Sequence, residues 1–291
     1  MKQTTSRGLW ITALALAAAA CVGAPSVDAQ EAAFDRALLP DDAPAPDPTA
    51  PMYRQTGEQY RAYEFPGTGE PIPYRLFVPE TWGPGDSLPV LITLRAGFSI
   101  NNSHRGDNDL VREARERGYI VISPLGYRGY AQPYYGSPYP VDRPDGPSTP
   151  AAGWSAEDDE RAERDVLYAL ALVAQEYGAD LSRVFVHGQN PSGSAAFNYA
   201  AEYPDLVAGI VVSAGPIVTD GYPFANLAGE VAVLMIHGDQ DTANTAAASQ
   251  RVVGELRDHG VEAEFALVPG GEHLTAYLTY ADGVFDFLDA H

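Results

Sequence analysis

Cysteine and lysine are almost absent from this chain. Of its 291 residues, one is cysteine, Cys21, and the only lysine is Lys2. Both lie near the N-terminus, so a chain that loses this segment holds no thiol, which excludes disulfides and thiol catalysis. Basic residues are also scarce, with 18 Lys and Arg against 39 Asp and Glu. The resulting net charge of −21 argues against nucleic acid and anionic membrane surfaces as partners and indicates a solvated acidic shell.

The first residues are typical of an export signal. Lys2 and Arg7 precede an apolar, alanine-rich run, LWITALALAAAACVGA, which is too short to predict a membrane span. The string VDAQ supplies the small residues of a cleavage site, so we predict a signal peptide over residues 1–29 and a periplasmic or extracellular protein. A lipid anchor at Cys21 is the disfavoured alternative, because no leucine stands three residues before it.

Two further regions follow the signal peptide. Residues 30–57 are dominated by proline, aspartate and alanine, as in LLPDDAPAPDPTAP, which predicts a flexible linker. Residues 58–291 are long enough for one domain with a sizeable core. Within it, the helix that starts at SAEDDERAE carries a capping box of Ser155 and Asp158 and ends at Gly178.

Apolar runs and amphipathic helices alternate along the predicted domain. LPVLITL, YIVISPLG, RVFVHG, AGIVVSAG and VAVLMIHG are continuous apolar runs, typical of strands buried on both faces, and helical patterns separate most of them. This order predicts an α/β fold with a mostly parallel sheet and helices on both faces. Ligands of such sheets bind outside the carboxyl ends of the strands, so the residues that follow the strands are the candidate site.

One insertion, between SPLG and SAEDD, is rich in aromatic residues. Proline and glycine prevent it from forming a helix, and a loop of this length in a compact domain is commonly functional or disordered. We interpret it as one wall of a substrate cleft, or alternatively as a surface loop that packs on its own tyrosines. Its aromatic residues are Tyr127, Tyr130, Tyr134, Tyr135, Tyr139 and Trp154.

Several segments together resemble a known superfamily. They are ERGYIVISPLGYRGY, RDVLYALALVAQEYGADLSRVFVHG, AEYPDLVAGIVVSAG, VLMIHGDQDTANT and VPGGEHL. Over residues 59–291 the chain resembles α/β-hydrolases, in particular polyhydroxybutyrate-depolymerase-like and feruloyl-esterase-like secreted esterases and prolyl-oligopeptidase-type catalytic domains. The resemblance implies the α/β-hydrolase fold, with a mostly parallel twisted sheet and no separate cap domain.

The same resemblance implies a catalytic triad and identifies two of its members. The superfamily carries a serine in G-x-S-x-G on a tight strand-to-helix turn, followed along the chain by an acid and a histidine. Asp241 in HGDQD matches the acid, with Asp239 as the less favoured choice, and His273 in GGEH matches the histidine. A carboxylate at the acid position fixes the tautomer of the histidine and stabilises its protonated form.

The nucleophile position departs from the pattern. Gly188 matches the first glycine of the turn, and the spacing to the later YPD puts Asn190, rather than Ser192, where the serine belongs. An amide is a poor nucleophile and has no hydroxyl proton for the histidine to remove. Pro191 follows and has no N–H, although the residue after the nucleophile normally supplies one oxyanion-hole donor. The sequence therefore predicts that serine-hydrolase chemistry is lost.

The second oxyanion loop departs as well. Relatives have His-Gly-Gly after the corresponding strand, whereas this chain has Arg95, Ala96 and Gly97. Arg95 either pairs with an acid of this acidic protein or binds an anionic ligand at the former oxyanion position. We favour the pairing.

Three functions remain open on this basis. The first is a hydrolase-fold protein without ordinary serine-esterase activity that binds a small or polymeric ester-like ligand in its cleft. The second is an active carboxylesterase or depolymerase that uses Ser192 with His273 and Asp241, with Gly193 as the oxyanion donor. The third is a cell-envelope interaction module that uses the tyrosine-rich insertion. His187 and His237 are interpreted as framework residues, and we expect no cofactor and no metal, since neither a metal-ligand cluster nor a nucleotide fingerprint is present.

Overall fold

A large sheet runs through the part of the chain that the structure, a computed structural model, describes: residues 38–94, 109–127, 141–142, 155–215, 217–218 and 221–291. The strands are β1 (Gly57–Glu64), β2 (Pro71–Val78), β3 (Val90–Leu94), β4 (Ile120–Pro124), β5 (Val141–Asp142), β6 (Val184–Gln189), β7 (Val207–Ser213), β8 (Ile217–Val218), β9 (Ala232–Gly238) and β10 (Ala263–Val268). Eight of them form the main sheet, and β5 pairs with β8 separately.

The main sheet is mostly parallel, as the sequence predicts. Its order is β1-β2-β4-β3-β6-β7-β9-β10, in which β2 is antiparallel to both β1 and β4 and every other neighbour is parallel. Strands β3, β4, β6 and β9 are buried along their whole length. Burial on both faces explains their continuous apolar sequences.

Helices cover both faces of the sheet. They are α1 (Asp109–Arg117), α2 (Ala156–Tyr177), α3 (Pro191–Glu202), α4 (Ala246–Asp258), α5 (Ala276–Thr279) and α6 (Ala281–Ala290), with a 3₁₀ helix at Phe224–Leu227. Helices α2, α3 and α4 contribute to one apolar cluster, which includes Val186 of β6, whereas α1 and α6 contribute to a second, which includes Phe185. Among the described helices, none is both long and apolar enough to span a bilayer.

Local signals account for the ends of these helices. The capping box of α2 is present: the Ser155 hydroxyl accepts from the Asp158 amide at 3.3 Å, and the Asp158 carboxylate accepts from the Ser155 amide at 3.0 Å. Gly178 ends α2 in the left-handed conformation, with φ of 70°. The C-terminal segment forms two helices, because Tyr280, with φ of −106° and ψ of 23°, leaves the helical conformation between α5 and α6.

Residues 38–56, within the predicted linker at 30–57, pack against the domain. Leu39 is buried in the larger apolar cluster, and Arg164 of α2 pairs with Asp42 at 3.0 Å. The Arg54 amide donates to Glu176 at 2.6 Å. The proline-rich segment thus contacts α2 through apolar, ionic and hydrogen-bonding groups, while the exact boundaries of the three regions stay a prediction.

A buried carboxyl group links α2 to the strands next to it. The Asp165 side chain is fully buried, and it accepts from the Tyr63 hydroxyl at 2.6 Å and from the Gly126 amide at 3.0 Å. Burial raises the pKa of Asp165 to about 7, because the charged form is poorly solvated there and the two hydrogen bonds offset this only in part.

This buried group makes the free energy of unfolding depend on pH. The unfolded chain releases the Asp165 proton near the ordinary aspartate pKa of about 3.9, whereas the native protein keeps it until about pH 7. Between these values the native state binds more protons, so its stability decreases as pH rises, by at most about 1.4 kcal/mol per pH unit, and levels off above pH 7.

The variant Asp165→Asn should lack this decrease. Denaturant unfolding of both proteins from pH 4.5 to 8 gives the slope of the unfolding free energy against pH. The difference between the two slopes does not depend on any constant loss of stability in the variant. Asp205→Asn, at an exposed site, is the control and should keep the wild-type slope. Parallel pH profiles for wild type and Asp165→Asn would contradict the assignment.

Candidate active site

The turn between β6 and α3 has a strained backbone at Asn190. This residue has φ of 52° and ψ of −122°, a region dominated by Gly, Asn and Asp. Its amide donates to the Ser213 carbonyl at 2.9 Å, and its carbonyl accepts from the Gly193 amide at 3.0 Å. Strain of this kind costs about 1–3 kcal/mol and persists where the surrounding structure enforces it.

Gly188 is the residue that makes this turn possible. A Cβ atom at this position would lie 2.1 Å from the Ser192 carbonyl oxygen and 2.8 Å from the Gly193 nitrogen. No side chain fits between the end of β6 and the first turn of α3. The glycine in the sequence string GQNPSG is therefore a steric requirement of the strand-to-helix turn.

Asp241 and His273 form a hydrogen-bonded pair. Asp241 lies in the loop after β9, His273 lies in the loop after β10, and Asp241 Oδ2 is 2.8 Å from His273 Nδ1. Asp241 Oδ1 accepts from the amides of Ala243 and Asn244 at 2.8 and 3.0 Å. Burial alone would raise the pKa of Asp241, but the bonds from Asn244, His273 and Ala243 outweigh it and hold this pKa below its usual value.

A second histidine contacts the same carboxylate. His237 Nε2 lies 3.0 Å from Asp241 Oδ2, and His237 Nδ1 lies 2.8 Å from the Ser249 hydroxyl of α4. His237 is fully buried, as expected for a framework residue. Sequence reasoning missed its contact with Asp241, although the spacing of four residues in HGDQD is a signal that could have suggested it.

The loop that carries His273 is held against the ends of β6 and β9. A Cβ atom at Gly238 would lie 2.0 Å from the Gly271 carbonyl oxygen, so the two loops touch through their backbones. Gln189, the residue before Asn190, donates from its Nε2 to the His273 carbonyl at 3.2 Å. Asp239, the less favoured choice for the acid, instead accepts from the Gly270 amide at 2.7 Å and fastens this loop.

His187 lies in β6, near the turn but inside the core. Its Nε2 is 3.2 Å from the Ser213 hydroxyl, and its ring lies 4.7 Å from that of Tyr277. Burial lowers the pKa of His187 to about 4, so the side chain is neutral at physiological pH. It contacts core residues, in agreement with the framework interpretation.

Ser192 and Asn190 differ in their access to solvent. Ser192 lies in the first turn of α3 with no exposed surface, and the Gly193 amide that could have served it is bonded to the Asn190 carbonyl. Asn190 is partly exposed, and its side chain has no hydrogen bond to any residue that the structure describes. Of these two side chains, the Asn190 amide is therefore the one that solvent reaches.

The remaining predicted site residues divide into two groups. Tyr127, a candidate for the wall of the cleft, has no exposed surface, and its ring lies 4.9 Å from that of Phe65 in the core. The others lie outside the described residues: Arg95, Ala96, Gly97, Tyr130, Tyr134, Tyr135, Tyr139 and Trp154. Within the described ranges, no group of three or more His, Cys, Asp or Glu is arranged to hold a metal ion.

Sequence comparison identifies one family. A sequence profile of the dienelactone hydrolase family matches residues 79–279, which include the strand-to-helix turn and the Asp241–His273 pair. A comparison with curated protein sequences finds no match.

Solved structures share the fold at low sequence identity. An S-formylglutathione hydrolase from Agrobacterium tumefaciens is 16% identical, with 79% of this chain and 94% of that chain covered and a TM-score of 0.60. A thermostable esterase is 17% identical with a TM-score of 0.59, over 80% of this chain and 62% of its own, so this chain spans less than two thirds of it. A candidate dienelactone hydrolase from Klebsiella pneumoniae is 20% identical, with 80% and 98% covered and a TM-score of 0.52. The predicted α/β-hydrolase fold is confirmed.

The steric requirement at Gly188 predicts a large loss of stability in Gly188→Ala. The added methyl group collides with the backbone of α3. This should lower the free energy of unfolding by about 1–3 kcal/mol or more, as for other overpacked sites. Gly254→Ala is the matched control, because a Cβ atom at Gly254 in α4 has no atom within 4 Å. That variant should gain about 1 kcal/mol from helix propensity. Urea unfolding measures both, and equal effects of the two substitutions would contradict the steric argument.

Proposed function

The chain belongs to the dienelactone hydrolase family, since the family profile covers residues 79–279, and from this premise we propose that Asn190 occupies the nucleophile position. The protein is then an exported α/β-hydrolase-fold protein of esterase ancestry. It lacks ordinary serine-esterase activity and keeps a cleft that binds a carboxylic-ester-like ligand.

The observation that carries the proposal is the backbone of Asn190. In this fold the nucleophile sits on a sharp, strained turn between a strand and a helix. Asn190 has that position between β6 and α3, and its φ of 52° is positive for a residue that is not glycine. Its amide side chain cannot give a proton to a histidine and then attack a carbonyl carbon.

Pro191 supports the same conclusion. As the first residue of α3, it follows the turn directly and has no N–H to donate to an oxyanion. The loss of one oxyanion-hole donor costs about 10²–10³ in rate, or about 3–4 kcal/mol of transition-state stabilisation. The nucleophile and one of its oxyanion donors are thus missing together.

The alternative nucleophile, Ser192, receives little support from its surroundings. Its side chain has no solvent-exposed surface, and it belongs to the first turn of α3. To reach a substrate it would require the helix to unwind at its start, where the Gly193 amide already bonds the Asn190 carbonyl at 3.0 Å.

A fluorophosphonate probe tests the proposal. The probe should leave the purified wild-type protein unlabelled, because no activated serine is present. The double variant Asn190→Ser, Pro191→Met restores the hydroxyl and the backbone donor, and it should be labelled at residue 190. The same double variant with His273→Gln added is the control and should lose that labelling, since the histidine activates the serine.

Two outcomes of this experiment would overturn the proposal. Labelling of wild-type protein that disappears in Ser192→Ala would make Ser192 the nucleophile. Failure to label the double variant, with its fold intact by circular dichroism, would mean that residue 190 is not at the nucleophile position.

Export is a separate part of the proposal. The alanine-rich apolar run and the VDAQ string predict cleavage after Ala29, so the mature protein should begin at Gln30. Expression of the full chain in a Gram-negative host, fractionation and N-terminal sequencing measure this. Two results would contradict cleavage at this position: an uncleaved protein in the cytoplasm that still contains Lys2, or a mature chain that begins at a lipid-modified Cys21.

A further inference from the structure

The imidazole of His273 is held as a base, and no described residue offers its Nε2 a group to deprotonate. Its Nδ1 lies 2.8 Å from Asp241 Oδ2, so the neutral ring carries its proton on Nδ1 and leaves the lone pair on Nε2. The His273 side chain is 19% exposed, and its Nε2 has no hydrogen-bond partner among the residues that the structure describes.

The usual partner of such a nitrogen is a nucleophilic hydroxyl. Asn190 has no hydroxyl, and the hydroxyl of Ser192 belongs to a side chain without exposed surface. Solvent reaches His273, in contrast, because part of its side chain is exposed. No described residue is within hydrogen-bond distance of Nε2, and solvent water is the group with a transferable proton that we expect to meet it.

We propose that His273 activates a water molecule directly, so that the protein slowly hydrolyses small activated carboxylic esters without an acyl-enzyme. This inference rests on the proposed function, since it requires that Asn190 replace the serine. It adds a reaction to a site that has otherwise lost its nucleophile.

The reaction balances without any further reagent. Nε2 of His273 takes one proton from water while the water oxygen bonds to the ester carbonyl carbon, and the carbonyl π electrons move to its oxygen. When the tetrahedral intermediate collapses, the bond to the alcohol oxygen breaks and that oxygen takes the proton from Nε2. The buried Asp241 carboxylate stabilises the imidazolium that exists between the two transfers.

Asn190 follows Gln189, whose side chain bonds the His273 carbonyl, and we assign Asn190 a positioning role in this scheme. Its side chain carries two N–H donors and one acceptor, none of which is bonded to another described residue. These groups can orient the water or the carbonyl oxygen, which partly offsets the oxyanion donor that is absent at Pro191.

The expected activity is small. General-base assistance contributes about 10²–10⁴ in rate, whereas loss of an oxyanion donor removes about 10²–10³. Only esters with a good leaving group should therefore react measurably, and p-nitrophenyl acetate is the appropriate probe.

The test compares the wild-type protein with two histidine variants. His273→Gln should lower the rate of p-nitrophenyl acetate hydrolysis at least about tenfold, since it removes the general base. His259→Gln is the matched control, because His259 is an exposed histidine at the C-terminal end of α4 and makes no described contact with Asp241 or His273, and the rate should not change. Stopped-flow traces should be linear from the first turnover, with no burst of p-nitrophenol, and the reaction should be slower in D₂O.

The outcomes separate this inference from the proposed function. Equal rates of p-nitrophenyl acetate hydrolysis in wild type and His273→Gln, with no fluorophosphonate labelling, would overturn water activation. They would leave the proposed replacement of the serine unaffected. A burst equal to the protein concentration, together with labelling of Ser192, would overturn both. A linear time course that requires His273 would support both.

Discussion

The close approach of β6 and α3 at Gly188 constrains the candidate site. Gly188 has no Cβ atom, which would lie 2.1 Å from the Ser192 carbonyl oxygen, so the chain can turn within two residues, and Asn190 takes a positive φ there. The flanking elements cannot easily yield, since β6 is buried along its length between β3 and β7 and α3 packs on the sheet. The shape of the turn is therefore set by packing and is independent of the chemistry of the side chain at position 190.

Packing also explains why the acid of the site is so firmly held. Asp241 accepts from two backbone amides and from His273, and it contacts the buried His237, which in turn bonds Ser249 of α4. Removing this carboxylate would take a partner from the buried His237 and from the partly buried Asn244 and His273, which is costly whether or not catalysis takes place. Asp241 thus has a structural reason to be present, and its presence alone says little about activity. His273 differs, because its side chain is partly exposed and its Nε2 supports no described contact.

Much of this architecture could be predicted from the sequence, because its signals are local. Continuous apolar runs identified the buried parallel strands, and Ser155, Asp158 and Gly178 marked the ends of α2. What could not be predicted depends on residues far apart in the chain. Tyr127 is buried against Phe65, which lies far from it in the sequence. Leu39 likewise joins the core although the segment around it has the composition of a linker.

The two departures at the turn have a common physical consequence. Serine in a backbone with φ near 52° is strained, whereas Asn is among the residues that dominate such turns. Proline suits the first position of a helix, because the N–H that it lacks has no partner within the helix. Asn190 and Pro191 therefore both favour the local backbone, and under the proposed function they do so at the expense of the nucleophile and the oxyanion donor. A serine at this position would carry that strain in full, whereas Asn190 keeps the same positive φ at a lower cost. Under the proposed function, the stable turn and the loss of serine chemistry are two effects of the same pair of residues, while the partly exposed His273 remains the part of the site that turn stability does not explain.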